Sequence, residues 1–203
     1  MQYQLRISGK QSDQLYRHLF PGDDKEAVAI ALCGSHFGSD KVIVTVHEVF
    51  ELPHEKCDRS PDYVHWKTED IFPALVKASK KELSILKVHS HPTGFPRFSE
   101  LDDQSDSKLF PSLYGWTDGE QPHGSVVMLP DRRFFGRVIS IDNDFIQFDK
   151  ISVVGDTIDI WNKSEHDFGH EVGLRNLQTF GEGTTKLLKN MKVGVVGASG
   201  TGS

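Results

Sequence analysis

Over residues 3–7 hydrophobic and polar positions alternate, the two-residue period of a strand with one face buried. From residue 12 to 20 the period lengthens. Leu15, Leu19 and Phe20 recur at helical spacing, and Pro21-Gly22 ends the helix. Two apolar runs follow. Residues 26–33 (EAVAIALC) predict a buried strand closed by Gly34. Residues 41–52 (KVIVTVHEVFEL) predict a second, ended by Pro53, with a hairpin turn at Gly38-Ser39-Asp40 between them. Residues 53–65 are polar and read as a loop. Residues 68–83 place Ile71, Phe72, Leu75 and Val76 on one helical face, with Pro73 in the first turns. Residues 84–89 (SILKVH) predict another strand, and the Pro- and Gly-rich stretch 92–98 (PTGFPRF) a loop. Ser99 opens a further helix with Asp102 in its first turn, while the Pro, Gly and Asp content of residues 98–119 admits a flap. Residues 126–129, 133–141 and 145–154 predict three late strands, with turns at Pro130-Asp131 and Asp142-Asn143-Asp144. Strands interspersed with helices indicate an α/β fold.

The chemistry concentrates in residues 89–102, where His89-Ser90-His91-Pro92 leads through the loop to Ser99-Glu100-Leu101-Asp102. Side chains two apart on a strand share a face, so His89 and His91 project together from its end. Paired imidazoles are natural zinc ligands. The loop lets the chain fold back, so that Asp102 offers a carboxylate to the same ion. Three protein ligands leave the fourth tetrahedral position to water, the mark of a catalytic zinc. The metal lowers that water's pKa from ~15.7 to about 7, which supplies a nucleophile at neutral pH.

This pattern (H-x-H, seven residues, S, two residues, D) resembles the JAMM zinc metalloprotease family, also called MPN-plus or JAB, at every motif position. The resemblance covers residues 1–160 and implies a cytidine-deaminase-like JAMM/MPN fold, a mixed sheet flanked by helices. It implies one zinc ion held by His89, His91 and Asp102, with Ser99 supporting the oxyanion. The substrate it implies is a peptide or isopeptide bond following ubiquitin or a ubiquitin-like protein. The family also uses a glutamate from an early strand to move the proton. Glu26, ahead of an apolar run that ends in Gly34, fits that pattern, and Glu48 and Glu51 on the next strand are rivals.

After about residue 160 the character changes. Residues 162–170 are polar, residues 171–190 read as an interrupted helix, and residues 192–197 (KVGVVG) as a strand running into Gly197, Gly200 and Gly202. A strand followed by such a turn brings backbone N–H groups to phosphates. With Arg175, Phe180-Gly181 and residues 184–188 before it, the tail resembles the entry to a ThiF/MoeB-type adenylating domain, related to ubiquitin-activating enzymes. That family's second glycine is here Ser199. The resemblance implies that residues 161–203 begin a domain that binds ATP only when full-length, in a longer fusion. Together the two resemblances imply a bacterial ubiquitin-like system. Two other readings stay open: a metallopeptidase that processes a small sulfur-carrier protein, and a non-catalytic scaffold that binds ubiquitin-like proteins.

Composition narrows the classes. The chain has 203 residues, 37% hydrophobic and 26% charged, enough for one substantial core. With 23 basic against 29 acidic residues, and only the short basic pairs Lys80-Lys81 and Arg132-Arg133, it lacks the footprint of a nucleic-acid binder. No apolar run approaches the roughly 20 residues of a membrane span, and the start lacks the signature of a secretory signal, so a cytoplasmic protein is expected. Cys33 and Cys57 make no disulfide framework, and Cys33 reads as a buried thiol. His166 and His170 are four apart but have no third ligand. His47, His54, His65 and His123 show no grouping, and Asp103 and Asp106 are expected to be solvated. Trp66 and Trp116 are candidates to line a substrate groove.

Overall fold

In a computed structural model that describes residues 1–117 and 119–163, the alternating N-terminal segment forms strand β1 (Gln2–Ser8). Ser8 then caps helix α1 (Gly9–Leu19). Its side chain accepts from the Gln11 N–H, and the Gln11 side chain accepts from the Ser8 N–H. This reciprocal pair satisfies two otherwise orphan donors. Strands β2 (Val28–Phe37) and β3 (Lys41–Glu51) form the expected hairpin. Gly34 does not close β2, which runs on past it. A Cβ at Gly34 would lie 2.6 Å from Cε1 of His47, so this glycine makes room for a ring on the neighbouring strand.

The segment expected as a loop over residues 53–65 contains a 3-10 turn (His54–Lys56) and a two-stranded ribbon, β4 (Asp58–Arg59) and β5 (Val64–His65). Helix α2 (Thr68–Lys81) and strand β6 (Ser84–Ser90) follow as expected. Helix α3 (Glu100–Thr117) replaces the expected flap. It continues through Pro111 and Gly115 because Phe110 and Leu113 are buried beneath it, and packing overrides poor helix propensity. Beyond it lie β7 (His123–Met128), β8 (Phe134–Ile139), β9 (Phe145–Gln147), β10 (Lys150–Val154) and β11 (Ile158–Asn162). The single strand expected over residues 145–154 is two strands with different partners, since β9 pairs with β8 and β10 with β1. Strand β11 has no counterpart among the elements expected before residue 160, the last of which ends at residue 154.

Among the described residues the main sheet has nine strands, in the order β11-β10-β1-β3-β2-β6-β7-β8-β9. Pairs β1–β10, β1–β3 and β6–β7 are parallel and the remainder antiparallel, so the sheet is mixed. Helices cover both faces, as the period-2 alternation along β2 shows. Ala29, Ala31 and Cys33 pack with Leu15 and Leu19 of α1. Val28, Ile30 and Leu32 pack with Ile71 and Leu75 of α2 and with Phe110 and Leu113 of α3. Each fully buried Leu, Ile or Phe contributes about 1.5–3 kcal/mol. Along β6, Leu86 and Val88 join the α1 side and Ile85 the α2/α3 side. Alternation therefore turns Lys87 and His89 toward α2 and α3. Among the described residues no helix is long and apolar enough to cross a membrane.

Candidate metal centre

Strand β6 lies in the middle of the sheet, between β2 and β7, and the site forms at its C-terminal end. In the antiparallel β2–β6 register Val28 stands opposite His89. One step further, the Ser90 N–H donates to the Ala27 carbonyl (3.1 Å) and the Ala27 N–H donates to Ser90 Oγ (3.0 Å). The next step brings Glu26 to His91, with Oε1 3.8 Å from Nε2. Beyond His91 the chain turns back at Gly94, whose φ of 77° is a left-handed conformation suited to glycine. Ser99 then caps α3. Its Oγ accepts from the Asp102 N–H (3.1 Å), while its own N–H (2.8 Å) and hydroxyl (2.7 Å) donate to Asp102 Oδ2. The capped first turn sets Asp102 with Oδ1 2.9 Å from His89 Nε2 and Oδ2 3.3 Å from His91 Nε2. His89, His91 and Asp102 are all buried, and each offers a ligand atom within 4.8 Å of the others.

The donor set suits a metal ion. The His91 Nδ1–H donates to the Phe95 carbonyl at 2.8 Å, which fixes the tautomer and leaves the Nε2 lone pair facing Asp102 and Glu26. His89 is buried with neither ring nitrogen hydrogen-bonded, although its Nε2 lies close to Asp102 Oδ1. An orphan buried polar atom costs about 1–3 kcal/mol, and coordination by Nε2 would offset part of it. Two imidazole nitrogens and one carboxylate oxygen are the borderline N/O donors that zinc takes.

The charges agree. Burial lowers the pKa of His89. Burial also opposes protonation of His91, but Asp102 and the Phe95 carbonyl outweigh it and raise that pKa. For Asp102 burial works upward, yet the imidazoles of His89 and His91 hold its carboxyl well below the usual range. Glu26 behaves in the opposite way. Burial pushes it up to about 8; nearby His91 opposes the rise and the Asp102 charge adds to it. One carboxyl is therefore held as an anion and its neighbour is kept able to carry a proton, the division of labour that acid–base sites use.

The family described as prokaryotic homologs of the JAB domain matches residues 10–134, a span that includes Glu26, His89, His91, Ser99 and Asp102. The chain belongs to this family. No curated protein matches it. The solution structure of protein DSY2949 from Desulfitobacterium hafniense is similar at a TM-score of 0.48 and 17% identity, over 80% of this chain and 97% of that one.

Within this JAB domain the rival glutamates are engaged elsewhere. Glu48 pairs with Lys77, and Glu51 accepts from Gln14 Nε2 at 3.0 Å. Trp66 lines the small cavity beside Glu26, Lys87 and His89, and half-exposed Trp116 lines an adjoining groove. The expectation for Asp106 is corrected. It is fully buried against Lys87 and Arg137, while Asp103 reaches Arg137 from the surface. The pattern did hold a signal for this, since Asp106 follows Asp102 by one helical turn and Lys87 precedes His89 by one strand period. His123 is also buried and fully bonded. Its Nδ1 accepts from the Ile85 N–H (2.9 Å) and its Nε2 lies 3.0 Å from Thr117 Oγ1. His166, His170 and the glycines Gly197, Gly200 and Gly202 lie outside the described residues.

Proposed function

We propose that this JAB-domain protein is a zinc-dependent peptidase or isopeptidase. It cleaves after a ubiquitin-like modifier, in deconjugation or precursor maturation, within a bacterial ubiquitin-like system. The observation that carries this reading is the pairing of a metal-ready donor set with a proton-competent glutamate: His89, His91 and Asp102 converge, and Glu26 Oε1 lies 3.8 Å from His91 Nε2. A bound Zn2+ supplies Lewis acidity and an acidified water at its open position.

The chain's own residues do the rest. Glu26 takes a proton from the attacking water and returns it to the leaving amine, and the burial that raises its pKa favours its holding that proton between the two transfers. The Ser99 hydroxyl donates to Asp102 Oδ2, so to support an oxyanion it turns toward the substrate while the Ser99 N–H keeps the cap. A groove of ≈ 430 Å³, with Leu75, Leu101, Leu109 and Trp116 in its walls, shares His65, Trp66, Leu101 and Ser105 with the cavity at Glu26. An apolar channel leading to the site suits a polypeptide tail. The resemblance of residues 161–203 to the entry of an adenylating domain supports the same substrate class, because such domains activate ubiquitin-like proteins.

The test is incubation of the zinc-loaded protein with a ubiquitin-like protein carrying a C-terminal extension and with the same protein joined to a lysine side chain. Cleavage after the modifier's last residue, lost on chelation and restored by zinc, is the expected result. Intact substrates in the presence of stoichiometric bound zinc would refute the peptidase reading and favour a binding scaffold.

A further inference from the structure

The buried residues of α3 divide by type along its length. Phe110 and Leu113 anchor its C-terminal half in the core, whereas the buried residues of its N-terminal half are the carboxylates Asp102 and Asp106. Leu101, in the first turn, is half-exposed. The end of the helix that carries Asp102 is therefore docked on the sheet through charge.

Asp106 is the hub. Its Oδ2 accepts from Arg137 Nη2 (2.7 Å) and Nε (3.2 Å), and its Oδ1 is ion-paired with the Lys87 ammonium. Arg137, on β8, also reaches Asp103 through Nη1. Its guanidinium packs on the ring of Phe98 (3.8 Å) on the other side of Ser99, and on Phe145 (3.9 Å). One side chain thus grips the residue before the helix cap and two residues in the first turns after it. Lys87 sits on β6, one strand period before His89. The network consequently ties the helix that bears one ligand to the strand that bears another.

Burying several charges is a poor route to stability, since apolar residues of similar volume commonly do as well or better. A buried ionic network instead fixes one geometry among several, because its partners tolerate little displacement. We propose that Arg137, Lys87 and Asp106 are positioning residues that set the zinc affinity of the centre by holding Asp102 in reach of His89 and His91. This rests on the metal-centre reading above.

The experiment uses the full 203-residue chain and zinc alone as the probe. Zinc affinity is measured by chelator competition, and coordination by the visible spectrum of the Co2+ form. The wild type is compared with Arg137→Lys, which keeps the charge but loses the fork and the ring contacts. It is also compared with the apolar triple variant Lys87→Met, Asp106→Leu, Arg137→Met, and with the surface-accessible Asp103→Asn. The triple variant is expected to fold, by circular dichroism and thermal melting, yet to bind zinc ~10–100-fold more weakly, with a changed Co2+ spectrum. Arg137→Lys is expected to weaken binding about tenfold and Asp103→Asn a few-fold. Should the triple variant not fold, the other two decide. Folded variants that bind zinc within twofold of wild type, with the wild-type Co2+ spectrum, overturn the positioning role. A wild type that binds no zinc overturns the metal reading instead, a result distinct from any variant's.

Discussion

Glu26 shows what a single residue owes to its place in the chain. Its carboxyl meets His91 because β2 and β6 pair antiparallel, and two further steps in register carry the contact beyond the end of β2. The local parts of the site were legible without the structure. H-x-H on a strand and S-x-x-D at a helix start each follow from short-range periodicity. The choice of Glu26 over Glu48 and Glu51 was a preference in the sequence, since strand register between segments about 60 residues apart is not written locally. Glu26→Gln is expected to keep zinc at the wild-type stoichiometry and to lower amide hydrolysis by about 10²–10⁴-fold, measured as kcat on the cleavable fusion. Retained hydrolysis would show that another group moves the proton.

At the scale of elements, α3 is held at both ends, and each hold can be tested. At its start Ser99 both caps the helix and steadies Asp102, so Ser99→Ala is expected to cost about 0.5–2 kcal/mol in thermal or denaturant unfolding and to weaken zinc binding. At its end Thr117 meets His123 of β7, whose other nitrogen accepts from Ile85 of β6. That arrangement needs a neutral ring, and burial lowers the His123 pKa from 6.5 to about 4. The folded-state value lies below the unfolded one, so between them the unfolded chain binds the additional proton. This contribution to stability, on the order of 3 kcal/mol, is complete above pH ~6.5 and is lost as the pH falls toward about 4. Unfolding free energies across that range should fall less steeply for His123→Gln than for wild type, and equal slopes would exclude the effect. In the sequence His123 stood ungrouped and residues 98–119 admitted a flap. The tie depends on Ile85, 38 residues before His123, and the helix on a core gathered from distant segments.

For the whole molecule, the alternation of strands and helices gave the class, but not the order in which the strands assemble. β10 joins β1 across almost the whole domain, and the boundary between β9 and β10 is fixed by their different partners. The buried network of Lys87, Asp106 and Arg137 was only partly legible: helical and strand spacing set Asp106 beside Asp102 and Lys87 beside His89, but Arg137 meets them only once α3 packs on the assembled sheet. If the centre takes zinc in the folded state, ligand linkage follows. Zinc at about 1,000 times its dissociation constant should stabilise the protein by ~4 kcal/mol, seen as a higher melting temperature that a chelator reverses. The double variant His89→Ala, His91→Ala should melt at one temperature with or without zinc.

The most direct measurement is zinc per chain by elemental analysis, for the wild type and for His89→Ala, His91→Ala. One zinc in the wild type and none in the variant is the predicted result, and it places the ion on the H-x-H strand end. Wild type that carries no zinc after careful preparation and reloading would contradict the metal centre and, with it, the peptidase.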